Sequence, residues 1–264
     1  MKLWFIFCKG DLMLERRPDG TYGIPLCEEA PVEVKPWTTI HTITPFADGT
    51  AVRTFAVDSP IVGHPRYEMC GLRASYAKLS SDLYQKAGKC QEILYWDQNT
   101  KYCGVCGAPM KLHTEISKRC TECGKEVWPQ LATAVIVLVR KGHEVLLVHA
   151  RNFKTDFYGL VAGFVETGET LEEAVHREVM EETGLQIKNL RYFGSQPWPY
   201  ACGLMVGFTA DYASGSLHLQ RSELSKGAWF DRHCLPHIPE KLSIARKLID
   251  AWLEEEAKSV ADKD

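Results

Sequence analysis

No apolar run in this sequence approaches the roughly 18 residues that a membrane-spanning helix needs, which argues against a chain threaded through a bilayer. It also lacks a strong charge imbalance. Against 34 acidic residues stand 31 Lys and Arg, a net charge of -3. That excludes wholesale attraction to nucleic acid or an anionic membrane, although a local basic patch remains compatible. Internal repeats and low-complexity tracts are absent. The start, "MKLWFIFCKGDLML", has no small-residue cleavage site and picks up charges at once, so it reads as a first β-strand and not as a signal peptide. Also missing is any disulfide-framework spacing. Of ten cysteines, four form two C-x-x-C pairs. Cys8, Cys27, Cys70, Cys90, Cys202 and Cys234 are scattered, as expected of small buried hydrophobes. A reducing compartment with one metal site accounts for this distribution, and the expected location is the cytoplasm.

What remains is ordinary for a globular protein: 264 residues, 45% hydrophobic and 25% charged, enough for two domains or one with an insertion. Residues 1–98 read as a small N-terminal α/β domain. The β-like runs "LWFIF", "WTTIHTI" and "VRTFAV" are separated by turn signals, and "ASYAKLSSDLYQKAGKCQEILYWDQ" follows as a helix. Residues 99–127 hold the cysteine pairs. From 128 to 258 strands and helices mix. "ATAVIVLVRKGHEVLLVHA" predicts two strands joined at Lys-Gly, the first a central one. "LRYFGSQPWPYACGLMVGFTADY" and "AWFDRHCLP" add further strand, and an amphipathic helix is expected near 240–257. The prediction for this part is an α/β/α sandwich.

Cys103, Cys106, Cys120 and Cys123 give C-x2-C-x13-C-x2-C, each pair followed by glycine. Four thiolates close a tetrahedral shell around Zn2+ and leave no position for a substrate, so this metal is structural, one per chain. Disulfides or a redox C-x-x-C are the competing readings, but a redox motif needs only one pair. Lys101, Lys111, Lys118, Arg119 and Lys125 against Glu115 and Glu122 make the ribbon mildly basic. That balance fits an RNA contact or an ordinary solvated surface.

Residues 163–185 lack lysine altogether yet contain seven glutamates. Thr170 and Glu173 form a capping box and Gly184 a C-terminal stop, which predicts a helix over 171–183. At 100° per residue from Leu171, Val175 lies at about +40°, Glu178 at about -20° and Glu182 at about +20°. Both acids thus fall on the apolar, inward stripe, with Glu181 on its edge. Like charges one turn apart repel, and burial raises the cost of charging them. Arg177 is at the wrong angle to neutralise both, though it can brace Glu181 or Glu169. A hard divalent cation, Mg2+ or Mn2+, satisfies the pair best. A charged helix stabilised by i,i+4 lysines is the alternative, and no lysine is there to make it.

Gly163, Glu169 and "REVMEETGL" from Arg177 to Leu185 resemble the Nudix box, G-x5-E-x7-R-E-U-x-E-E-x-G-U, at every defined position. The resemblance implies a Nudix α/β/α sandwich with a mixed sheet and metal-dependent cleavage of a nucleoside-linked pyrophosphate. It implies that Glu178 and Glu182 ligate Mg2+ or Mn2+, that Glu182 or a neighbour activates water, and that Glu181 stands beside them. Metal ions would reverse the sign of an acidic pocket that otherwise repels a diphosphate.

"SQPWPYACG", 195–203, is similar to the SQPWPFPxS signature of NADH pyrophosphatases within that family. The prolines stiffen a loop, and Trp198 and Tyr200 offer flat faces to a base or nicotinamide. Trp198 as a packing residue in a rigid turn is the plainer reading. The resemblance, including the order of N-terminal domain, ribbon and Nudix domain, implies cleavage of NAD(H) to NMN(H) and AMP, removal of NAD caps from RNA 5′ ends, and a homodimer. It points to Arg73, Glu115, Trp128, Phe164 (on adenine), Gln196, Pro197, Trp198, Pro199, Tyr200, Ala201, Cys202, Gly203 and Ala245 as substrate-binding. The carbonyl of Ala162 and the side chain of Glu223 would complete the metal shell. Ala201 and Gly203 depart from the signature's Pro and Ser. Other outcomes are a broader dinucleotide or ADP-ribose pyrophosphatase, or a nucleic-acid-binding or ligand-sensing protein on the same fold.

Overall fold

The computed structural model describes residues 1–153, 155–200 and 203–261. The chain forms two compact units. One comprises Met1–Gln130 with Pro199–Cys202, the other Leu131–Trp198 with Gly203–Asp264.

The first unit is built on β1 (Lys2–Cys8), β2 (Asp11–Arg16), β3 (Tyr22–Gly23), β4 (Leu26–Cys27), β5 (His41–Ile43), β6 (Ala51–Ala56) and β7 (Tyr67–Gly71). Their order is β3-β2-β1-β6-β5, with β4 on β1 and β7 on β2; β1 and β6 run parallel. Trp4 through Cys8 are all buried, so β1 is covered on both faces. Trp4 and Ile6 pack with Met13, Phe55 and Tyr67, and α1 (Ser81–Asn99) contacts β1 and β6.

Two expectations for this region change. Only His41–Ile43 of "WTTIHTI" is strand. The single helix expected from Ala74 is a short 3-10 turn, Ala74–Ala77, followed by α1. Ser80 separates them because its hydroxyl caps the amide of Leu83 and its backbone is extended.

β8 (Met110–Thr114), β9 (Ser117–Cys120) and β10 (Glu126–Val127) make the three-stranded ribbon. Its four Sγ atoms lie within 4.8 Å of one another, with 3.6 Å between Cys103 and Cys123 and 3.4 Å between Cys106 and Cys120. A tetrahedral Zn–S shell of about 2.3 Å bonds needs sulfurs about 3.8 Å apart, so the quartet fits zinc. Among the described residues the nine cysteines are free thiols. Amides of Cys123 and Glu122 point at the Cys120 sulfur and lower that thiol to about 6, while those of Cys106 and Val105 lower Cys103. Gly107 (φ 76°) and Gly124 (φ 74°) supply the left-handed turns that aim these amides. Two scattered cysteines depart from the buried pattern: Cys27 is half-buried and Cys234 exposed.

The ribbon's basic face is smaller than its composition suggests. Lys118 is buried: its ammonium contacts the Asp97 carboxylate at 2.7 Å and donates to the carbonyls of Asp97 (2.7 Å) and Thr100 (3.1 Å). His41 Nε2 lies 3.4 Å from the other Asp97 oxygen. Arg119 pairs with Glu126 at 3.1 Å.

The second unit contains β11 (Ala132–Lys141), β12 (Glu144–Ala150), β13 (Val161–Phe164), α2 (Leu171–Thr183), β14 (Gln186–Trp198), β15 (Gly203–Ser214), β16 (Leu224–Asp231) and α3 (Ile244–Ala261). The sheet order is β14-β15-β11-β12-β16, with β13 on β11. β11 and β15 are parallel and the remaining pairs antiparallel, so the sheet is mixed. Strand alternation divides β11 between two cores. Val135, Val137 and Val139 pack with Ala174, Val175 and Val179 of α2, and Ile136 and Leu138 with Ala245, Leu248, Ile249 and Trp252 of α3. This is the α/β/α sandwich, and it explains why β11 reads as one continuous apolar run.

α3 starts four residues later than expected, because the Ser243 hydroxyl accepts the amide of Arg246. The prolines of 195–200 also do not sit in one loop. Ser195 to Trp198 pair residue by residue with Val206 to Gly203, and Pro197 is tolerated because β14 is an edge strand.

Two outcomes follow from the first unit. Cys120→Ser is expected to reduce bound zinc from about one per chain to near none by metal analysis, with a lower thermal midpoint. Lys118→Met leaves the half-buried Asp97 beside His41 alone, and urea titration is expected to show a loss of about 2 kcal/mol or more.

Candidate active site

α2 is fixed at both ends. Thr170 accepts the Glu173 amide while the Glu173 carboxylate accepts the Thr170 amide at 2.8 Å, and Gly184 turns left-handed (φ 68°) beyond the last turn. The helix spans the predicted residues, and the rotation that follows puts Glu178 and Glu182 inside, at 8% and 4% exposure. Glu181 keeps half its side chain in solvent.

Burial, reinforced for Glu182 by the neighbouring Glu178 and Glu223, pushes both carboxyls up. Glu182 rises to about 8. Among the described residues, no cation of the second unit offsets the Glu182 charge. Arg177, by contrast, is a hub. It holds Glu169 through two bonds (2.5 and 2.9 Å), takes the Phe164 carbonyl at 2.9 Å, and reaches Glu178 at 2.8 Å and Glu181 at 3.1 Å. Its reach to Glu178 exceeds the expectation that it braces only Glu181 or Glu169. The guanidinium drops Glu169 to about 2, so this carboxylate stays charged and clamps the 164–169 loop to α2.

Gly163 has a steric reason. An added Cβ there would fall 2.0 Å from the Glu178 carboxyl carbon. Its neighbour Ala162 pairs with Ile136 in the sheet, so the β13 backbone is laid directly against the acid. Glu223 arrives from elsewhere in sequence. Thr183 and Glu182 carbonyls accept the amides of His218 (2.9 Å) and Gln220 (2.8 Å), and the Gln220 carbonyl closes a turn onto Glu223 and Leu224. The turn thus delivers Glu223 into electrostatic range of both buried acids. Glu178, Glu182, Glu223 and the Ala162 carbonyl all offer oxygen donors, the type a hard divalent cation takes; Glu178 and Glu182 are buried, Glu178 is shared with Arg177, and Glu223 is exposed.

Other predicted residues are dispersed. Phe164 is 65% exposed at the end of β13. Gln196 donates to the Leu242 carbonyl at 3.0 Å, and Ala245 lies buried in the α3 core. Pro197 and Trp198 are in β14 and Gly203 opens β15. Arg73, Glu115, Trp128, Pro199 and Tyr200 belong to the first unit. There Arg73 precedes the 3-10 turn, Glu115 is exposed between β8 and β9, and Trp128 is 50% exposed. Ala201 and Cys202 lie outside the described residues. Sequence reasoning missed Tyr84, whose hydroxyl bonds to that of Tyr200; only the helix-interior glycine at 88, one turn on, hinted at this contact.

Models of known families match along the chain. The NUDIX domain matches residues 128–252, the NADH pyrophosphatase zinc ribbon domain 98–127, and the NADH pyrophosphatase-like rudimentary NUDIX domain 1–96. NAD-capped RNA hydrolase NudC of Haemophilus influenzae (strain PittGG) is 46% identical over 181 residues, 67% of this chain and 69% of that one. The proteins of that name from Pseudomonas entomophila and Chromobacterium violaceum are 39% and 38% identical, over 69% of this chain and 67% and 69% of theirs. The crystal structure of a Nudix hydrolase from Nitrosomonas europaea aligns at TM-score 0.49 and 20% identity, over 60% of this chain and 93% of that one; the family assignment does not rest on it. With a complete box on a buried-acid helix and family models covering both units, the chain belongs to the Nudix hydrolase family.

Proposed function

We propose that the protein hydrolyses the pyrophosphate of NAD(H) to NMN(H) and AMP, and removes NAD caps from RNA 5′ ends. The observation that carries the reading is one chain with an intact acid cluster whose other two domains both match NADH pyrophosphatase models. Relatives named NAD-capped RNA hydrolase support the capped-RNA substrate. Cytoplasmic location and a homodimer complete the proposal; no helix among the described residues is long and apolar enough to cross a membrane.

Glu178, Glu182, Glu223 and the Ala162 carbonyl would hold Mg2+ or Mn2+, which when bound neutralises phosphate charge and lowers the pKa of water. The chain's residues do the rest. Arg177 fixes the loop and the helix relative to each other, which sets the distance between the Ala162 carbonyl and the two acids. Glu182, buried on the inner face of α2 within the acid cluster, is placed to receive the proton that the attacking water loses. In-line attack then depends on positioning of the diphosphate more than on covalent help. Phe164, 65% exposed at the end of β13, is suited to stack on a planar ring of the dinucleotide. The four-cysteine zinc is held away from chemistry by its closed thiolate shell.

Glu182→Gln is expected to lower kcat for NADH by about 10²-fold or more with the fold intact by circular dichroism; full turnover in that variant removes the site assignment. Turnover of NADH, NAD, ADP-ribose and NAD-capped RNA compared side by side tests the substrate, and preferred ADP-ribose cleavage overturns it. A pH dependence follows from Glu182. Its carboxyl is raised from 4.5 to about 8 in the folded chain, so the native state holds a proton that the unfolded state releases. Without added Mg2+ or Mn2+, stability should therefore fall as pH rises from about 4.5 to about 8 and then level off. Urea midpoints across that range check it: Glu182→Gln should flatten the decline, and added Mg2+ should restore stability at the alkaline end.

A further inference from the structure

Pro199 and Tyr200 follow directly on β14 but belong to the first unit, where α1 receives them. Gly88 is buried in the middle of α1, a position at which glycine is otherwise disfavoured. A Cβ added there would meet Pro199 Cγ at 3.1 Å and its Cβ at 3.6 Å, so the proline ring fills the space a side chain at 88 would take. Four residues earlier on the same helix face, the Tyr84 hydroxyl hydrogen-bonds to the Tyr200 hydroxyl. Tyr84 is 7% exposed and braced edge-on by Tyr76, with ring centroids 5.3 Å apart. Arg73 is close enough for its charge to act on both phenols, while burial keeps both of them protonated.

The signature that this stretch resembles has phenylalanine where Tyr200 stands, then proline and serine where this chain has Ala201 and Gly203. One rigid ring and one hydroxyl are therefore lost beyond position 200, and one hydroxyl is gained at it. The gained hydroxyl is the one that reaches Tyr84. We infer that Tyr84 is a positioning residue for substrate binding: through Tyr200, and with Gly88 seating Pro199, it fixes the backbone at Pro199 and Tyr200, where the chain leaves β14. A turn held in its binding conformation spares the ordering that binding would otherwise impose, and this raises affinity without touching the bond that breaks. The inference rests on the NAD(H) reading above, because it takes the signature to contact substrate.

A kinetic cycle tests it. Tyr84→Phe, Tyr200→Phe and the double variant keep every ring, so packing persists while the hydroxyl pair is lost. For NADH, each single variant is expected to raise KM about three- to ten-fold with kcat nearly unchanged. The double variant is expected to be no worse than either single one, because both remove the same bond. Gly88→Ala, which pushes Pro199 from its seat, should raise KM in the same direction. An unchanged KM in Tyr84→Phe, or effects that multiply in the double variant, would overturn the inference. A purely structural role would instead lower the thermal midpoint without the KM-against-kcat split. Should the wild type cleave another dinucleotide in place of NADH, the substrate assignment fails, and the same cycle run on that dinucleotide still decides the role of Tyr84.

Discussion

Two carboxylates one turn apart on the inward face of a helix are the constraint around which the second unit is arranged. Glu178 and Glu182 share that face with Ala174, Val175 and Val179, residues that the sheet buries completely. The apolar contacts fix the rotation of α2, and the rotation carries the acids inward with them. Every local peculiarity nearby serves this placement. Gly163 leaves room for the Glu178 carboxyl where any side chain would collide with it. Gly184 stops the helix, and the exposed carbonyls of Glu182 and Thr183 then bind the segment that brings Glu223.

The first unit handles buried charge in the opposite way. Lys118 is as deeply buried as Glu182, but its ammonium is fully occupied by the Asp97 carboxylate and two carbonyls. A satisfied charge of this kind is a structural joint, here linking the ribbon strand β9 to the end of α1. Its consequence for recognition is negative: one of the ribbon's five cations is spent on the interior and a second, Arg119, on Glu126. The contrast between Lys118 and Glu182 separates a charge that holds the fold together from one that awaits a partner.

Much of this was legible in the sequence where a motif is local. The capping box, the stop at Gly184 and the 100° rotation predict α2 to the residue, because all its determinants lie within 16 positions. The cysteine spacing predicts the ribbon for the same reason. The first third was less legible: β2 and β7 pair across more than 50 residues, and no short-range pattern signals such a partner. The strand character of Gln196 to Trp198 was hidden by its prolines, which signal a loop unless one knows that β14 lies at the sheet edge. Lys118 looked like surface because composition cannot show that Asp97 lies opposite it.

Arg177 shows how one cation sorts several acids into different tasks. It bonds Glu169 through two nitrogens, Glu178 through one, Glu181 through one, and Glu182 not at all. Proton affinity runs the same way, with burial as the larger cause at the inner positions: Arg177 holds Glu169 near 2, while burial raises Glu178 against the pull of Arg177 and lifts Glu182 to about 8. The gradient is geometric in origin. Position 177 shares its outer face with 181, faces the 164–169 loop, and turns its back on 182. Glu169 is therefore fixed as a charged clamp, while Glu182, with no cation beside it among the described residues, keeps an electrostatic demand that a divalent cation would meet.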